Sequence, residues 1–119
     1  MKVIQKELKV GLDEYYKLHL TIINTILPVK LTDKEIEVLG AFMALDKSIT
    51  EEDTFNSFAR KKVKEKLDNM SAGGLGNHLK SMIDKGFLDK KEMSNKISIK
   101  SFLIPEESVQ GYQFKLLKV

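Results

Sequence analysis

The chain has 119 residues, 42% hydrophobic and 31% charged, a composition that fits one domain with a modest core and argues against wholesale disorder. It has no cysteine, which excludes disulfides and thiolate metal sites and accords with a reducing, cytoplasmic setting. The net charge of +3 is uneven: residues 60–100 hold eleven Lys and Arg against five acids, whereas the rest holds nine basic and twelve acidic residues, so one side is expected to face a polyanion.

The opening MKVIQKELKV reads as extended, with Ile4, Leu8, Val10 and Leu12 on one parity, until Gly11 breaks the pattern. It lacks the continuous apolar core of a signal peptide, and the apolar stretch LHLTIINTIL is too short and too polar to span a bilayer, so no membrane partner is expected. Over residues 13–27, Tyr15, Tyr16, His19, Ile22, Ile23, Ile26 and Leu27 form one helical stripe, although the β-branched run in TIIN argues for a strand. We read a helix, ended by Pro28. Its broad apolar face can pack across the next helix or form a homodimer interface through residues 13–27.

LTDKEIEVLGAFMAL is the clearest helix, with Thr32 and Glu35 spaced as a capping box and Ile36, Leu39, Phe42 and Met43 as its apolar face. ITEED repeats the start signal, with Thr50 as cap and the acids Glu51, Glu52 and Asp53 behind it, and predicts a short helix over 51–58 carrying Phe55 and Phe58. In FARKKVKEKLDNM the stripe of Ala59, Val63, Leu67 and Met70 predicts a helix ending at Asn69. Ser71 then caps a helix from Ala72 to Lys85 that stops at Gly86. FLDKK and the C-terminal YQFKLLKV read as strands; between them lies either a long loop or a wing with an extra strand at 96–103.

Helices joined by the tight LDNMS turn and followed by strand, long connection and strand make the pattern of an α+β winged helix-turn-helix. It would comprise an N-terminal strand/helix extension (residues 1–30), a helical core (31–90), and a C-terminal β-wing (91–119) in a single domain. LTDKEIEVL resembles the opening helix of MarR-type winged-helix proteins, and ARKKVKEKLDNMSAGGLGNHLKSMIDKGFLDK resembles their helix, turn, recognition helix and entry to the wing. The resemblance spans about residues 31–90 and extends to small winged-helix proteins carried by phages. It implies a non-catalytic DNA-binding protein, a transcription regulator or phage accessory factor, acting on double-stranded DNA in the cytoplasm (the host's, if phage-encoded).

The second helix of the pair would read DNA, yet its front carries Gly73, Gly74 and Gly76. Projected at 100° per residue, Leu75, Leu79, Met82 and Ile83 face the core and Asn77 lies almost opposite, flanked by Lys80, Ser81, Gly73 and Gly74. Asn77 can pair with adenine, Lys80 can donate to guanine or phosphate, and Ser71, Gly73 and Gly74 can hold a phosphate at the helix start. Arg60, Lys61, Lys62 and Lys64 would lie along the sugar-phosphate backbone, and Lys90, Lys91, Lys96 and Lys100 would serve the wing. Asp84, on the exposed face, opposes phosphate. The glycines and Asp84 motivate the alternative of a winged-helix protein-interaction or assembly module that reads no DNA sequence.

AGGLGNHL also fits the glycine spacing of a KH-type loop, but Gly74 and Leu75 stand where a basic residue is normal. His19 and His78 read as packing residues, with neither cysteines nor a cluster to make a metal site. No paired acid and base and no phosphate-loop ending are present, so no catalytic residue and no cofactor is expected.

Overall fold

A computed structural model describes residues 1–51, 53–94, 96–106 and 108–119; Glu52 of the expected helix start, Asn95 and Glu107 lie outside the described residues. The elements are α1 (Leu12–Asn24), α2 (Asp33–Met43), α3 (Lys47–Thr50), α4 (Ser57–Lys66), α5 (Ala72–Asp84), β1 (Leu88–Lys90) and β2 (Ile97–Ile99), followed by a 3₁₀ turn at Ser101–Leu103. The architecture is α+β: five helices and a two-stranded antiparallel sheet among the described residues. No described helix is long and apolar enough to cross a membrane.

Of the stripe over residues 13–27, the part up to Asn24 forms a helix rather than a strand, because its face finds α2; the helix stops short of Pro28 and leaves Ile26 exposed. Leu20 is fully buried, and α1 approaches so closely that a Cβ on Gly40 would lie 3.4 Å from the Lys17 backbone. At the start of α2, Thr32 Oγ1 accepts from the Glu35 N–H at 3.1 Å and Glu35 Oε1 accepts from the Thr32 N–H at 2.7 Å, the reciprocal bonding of a capping box. Val38, Leu39 and Phe42 then enter a core shared with Phe55, Ala59, Val63, Leu75, Leu79 and Met82.

Four local expectations are corrected. The short helix lies at 47–50, not 51–58: Asp46 rather than Thr50 caps it, accepting from the Ser48 N–H at 2.8 Å. The true start of α4 is set by Asn56, whose Oδ1 accepts from the Ala59 N–H at 2.8 Å while its Nδ2 donates to the Ile49 and Asp53 carbonyls. α4 stops at Lys66 because Asp68 and Asn69 both take left-handed conformations (φ 56° and 57°), which short polar side chains tolerate, and the Met70 N–H closes the turn on the Lys64 carbonyl. Neither terminal segment forms a strand: residues 1–11 and 109–119 carry no regular structure and lie almost wholly exposed. Their alternation has no strand beside it, and an unpaired strand has no ladder to join.

α5 ends in a Schellman motif. Gly86 takes φ 86°, its N–H donates to Ile83, and the Phe87 N–H donates to Met82, with Met82 and Phe87 both buried. That turn launches the hairpin, in which Leu88 faces Ile99, Asp89 faces Ser98 and Lys90 faces Ile97. The extra strand expected within 96–103 is thus present as β2, and the Lys91 N–H to Lys96 carbonyl bond closes the base of the tip.

Candidate nucleic-acid interface

α5 begins at Ser71, whose Oγ accepts from the Gly74 N–H at 3.0 Å. The hydroxyl oxygen expected to meet phosphate thus already caps the helix. Leu75, Leu79 and Met82 are buried, and Gly73, Asn77, Lys80 and Asp84 are exposed. Among the described residues, no other element covers this outward face. The C-terminal segment runs instead over α1, where the Tyr15 hydroxyl donates to the Glu106 carbonyl at 2.8 Å and Tyr112 meets His19.

Two adjoining grooves of about 380 Å³ each share Arg60, Lys90 and Ile97 in their walls. One continues along Gly76, Lys80, Ile83 and Asp84 of α5, and the other runs to Asp53, Asn56 and Ser57 at the start of α4. Three of the expected basic residues, from three elements, therefore meet: Arg60 of α4, Lys80 of α5 and Lys90 of β1. Arg60 is half-buried and held by a 2.7 Å bond from its Nε to the Phe55 carbonyl, which aims the rest of its guanidinium. Of these, only Arg60 is pinned; Lys80 and Lys90 make no ion pair among the described residues and keep their charge available.

The other expected contacts are placed differently. Lys61 and Lys62 are exposed on α4 outside the grooves, Lys62 with its ammonium 5.3 Å from the Phe58 ring centroid, and Lys64 is half-buried. Lys91 and Lys96 stand exposed at the ends of the hairpin tip, joined by the Lys91 N–H to Lys96 carbonyl bond. Lys100 pairs across the hairpin with Asp89 at 2.9 Å, so part of its charge is neutralised locally. Ser81 is half-buried on the side of α5 that turns to Glu35 of α2.

Sequence reasoning marks Glu35 only as a cap. It is 1% exposed, and its Oε1 also accepts from Lys85 Nζ at 2.6 Å, tying the start of α2 to the end of α5. Burial pushes its carboxyl up. The bonds from Lys85 and the Thr32 N–H, the nearby Ser81 hydroxyl and the Lys85 charge outweigh burial and hold it below the usual carboxylate value. Ser81 favours the ionised form without closing a bond to Oε2, which has no partner among the described residues.

Sequence reasoning missed Asp53, Asn56, Ser57 and Ile97 as groove residues. Asn56 was findable, since Asn three residues before Ala59 is a strong N-cap signal; the others meet only through folding. Asp53 and Asp84 set two carboxylates against the three cations, so the groove is mixed in charge while the hairpin tip beside it is basic. His19, expected as a packing residue, is one: Nε2 lies 2.9 Å from the Leu103 carbonyl and Nδ1 contacts the Tyr112 hydroxyl. His78 is half-buried on α5. No family model, no curated protein and no solved structure matches the chain.

Proposed function

We propose that this chain is a non-catalytic DNA-binding protein of the winged helix-turn-helix type, a transcription regulator or phage accessory factor. In this reading α5 enters the major groove, α4 lies along the backbone, and the β1–β2 hairpin is the wing. The observation that carries it is the meeting of Arg60, Lys80 and Lys90, from three separate elements, beside the uncovered face of α5. Asn77 on that face supplies an amide able to pair with an adenine edge, and Lys91 and Lys96 extend the positive surface along the hairpin tip. The two carboxylates in the groove and the open glycine face limit base reading, so backbone contact dominates the affinity.

The test is fluorescence-anisotropy binding to a random-sequence duplex over a salt series, with the wild-type chain and with Lys80→Ala and Lys90→Ala. Affinity should fall steeply with salt, and each substitution should flatten the log–log slope by about 0.9 for every phosphate it leaves without a cation. Absence of binding at low salt refutes the reading. It would favour the second one, a protein-interaction module, which Asp53 and Asp84 support because their carboxylates suit a basic peptide better than a phosphate.

A further inference from the structure

The apolar surface that the fold leaves uncovered is concentrated at the two ends of the chain. Of eighteen large hydrophobic residues exposed among the described residues, twelve fall within residues 1–12 and 109–119. Ile4 is 85% exposed, Leu8 66%, Leu116 98% and Leu117 83%. Neither tip region, residues 1–10 or 112–119, makes a backbone–backbone hydrogen bond among the described residues. Both are extended sequences with alternating apolar positions: Ile4, Leu8 and Val10 in one, Tyr112, Phe114 and Leu116 in the other. The radius of gyration is 15.6 Å, against about 13.5 Å for a compact chain of this length, as projecting arms require.

We infer that these arms pair between two copies of the chain, the N-terminal arm of one with the C-terminal arm of the other, across a two-fold axis. The geometry favours a second copy over pairing within one chain. The N-terminal arm leaves from the start of α1. The C-terminal segment crosses α1 from the level of Tyr15, which binds Glu106, to that of His19, which meets Tyr112, and so runs, as far as Tyr112, away from the end at which the N-terminal arm joins the helix. The two arms of one molecule therefore diverge. With two α1 helices antiparallel about a two-fold axis, each N-terminal arm meets the partner's C-terminal arm, and each gains the strand partner it lacks.

The area is sufficient. Twelve such side chains carry roughly 60–120 Å² of apolar surface each, or about 700–1,400 Å² per chain. A stable interface buries about 800 Å² per partner. No residue of α1 or of either terminal segment lines the groove of Arg60, Lys80 and Lys90. The inference stands whether or not the chain binds DNA.

The experiment is sedimentation equilibrium of the full chain, wild type and two double variants, Ile4→Asp with Leu8→Asp and Phe114→Asp with Leu116→Asp. The wild type should sediment at twice the chain mass, and each variant at the chain mass with unchanged helical circular dichroism, since none of the four residues enters the core. Because the chain has no cysteine, Leu8→Cys protein mixed with Phe114→Cys protein can be joined by a short bis-maleimide. The mixture should yield linked dimer and either protein alone should not. A monomeric wild type, a dimer that survives both double variants, or linkage of Leu8→Cys protein to itself each overturns the inference.

Discussion

Gly76→Ala tests why a helix proposed to read DNA carries so little side chain. Gly76 lies one turn into α5, and a Cβ built there meets nothing within 4 Å. Its backbone is helical, so no special conformation calls for glycine. Glycine inside a helix costs about 0.5–1 kcal/mol relative to alanine, chiefly in backbone entropy. With no clash to offset that gain, Gly76→Ala should stabilise the fold by about 0.5–1 kcal/mol, or about 2–5 °C in Tm for a chain of this size. Urea denaturation should show a higher midpoint with an unchanged slope. Gly74→Ala is the control, because its Cβ would stand 3.0 Å from Ser71 Oγ and press on the capping hydroxyl; its midpoint should fall below that of the wild type. A lower midpoint for Gly76→Ala would refute the reasoning, since it would mean that the fold needs the glycine. Gly76 also lines the groove beside Lys80 and Lys90, so the added methyl should lower affinity for duplex DNA while stability rises. Unchanged DNA affinity would remove close backbone approach as the reason for the glycine.

Lys85→Met leaves Glu35 buried without its ammonium partner and should cost about 3 kcal/mol by urea denaturation, the low end for a broken buried pair because Lys85 keeps some water. The same pair sets an acid limb: Glu35 is held below its ordinary value of 4.5, so its stabilisation is present above that pH and is lost as pH falls through the lowered value. In Lys85→Met burial acts with less opposition, and that acid loss should shrink or reverse. Asn56→Ala removes the α4 cap and two donor bonds and should cost about 1–2 kcal/mol, with hydrogen exchange rising first at the start of α4. Burial holds His19 below its ordinary 6.5 despite the opposing Leu103 carbonyl bond, so its stabilisation is full above that pH and declines as pH falls below it; His19→Gln should flatten this limb in thermal melts.

What could be read from the sequence was what rests on near neighbours. The Thr32–Glu35 box, the Ser71 cap and the Gly86 stop each involve residues within a turn of one another, and all three formed. The short helix was misplaced because Thr50 matched the cap pattern over 51–58, whereas Asp46 caps 47–50 and Asn56, with three side-chain bonds, starts α4 where Phe55 reaches Phe42, 4.6 Å between ring centroids. The terminal alternation was real, yet alternation shows only that a segment suits a sheet and not that a sheet is there to receive it. The groove was half legible. Arg60, Lys80 and Lys90 were named as cations, but their meeting depends on how α4 crosses α5 and where the hairpin turns back. The Lys85–Glu35 tie spans fifty positions and left no local sign.

The Schellman turn at Gly86 has a consequence for how the chain tolerates length change. From Met82 to Leu88 the backbone is committed: two nested hydrogen bonds close the helix, and Leu88 must turn inward and pair with Ile99. One residue inserted there would put Leu88 on the solvent face and Asp89 on the core face, because side chains alternate along a strand. At the hairpin tip no side chain of the described residues Lys91 to Ser94 is buried, and Met93 is 98% exposed. Insertions and deletions should therefore accumulate at the hairpin tip, changing how far it extends, while the angle at which the hairpin leaves α5 stays constant.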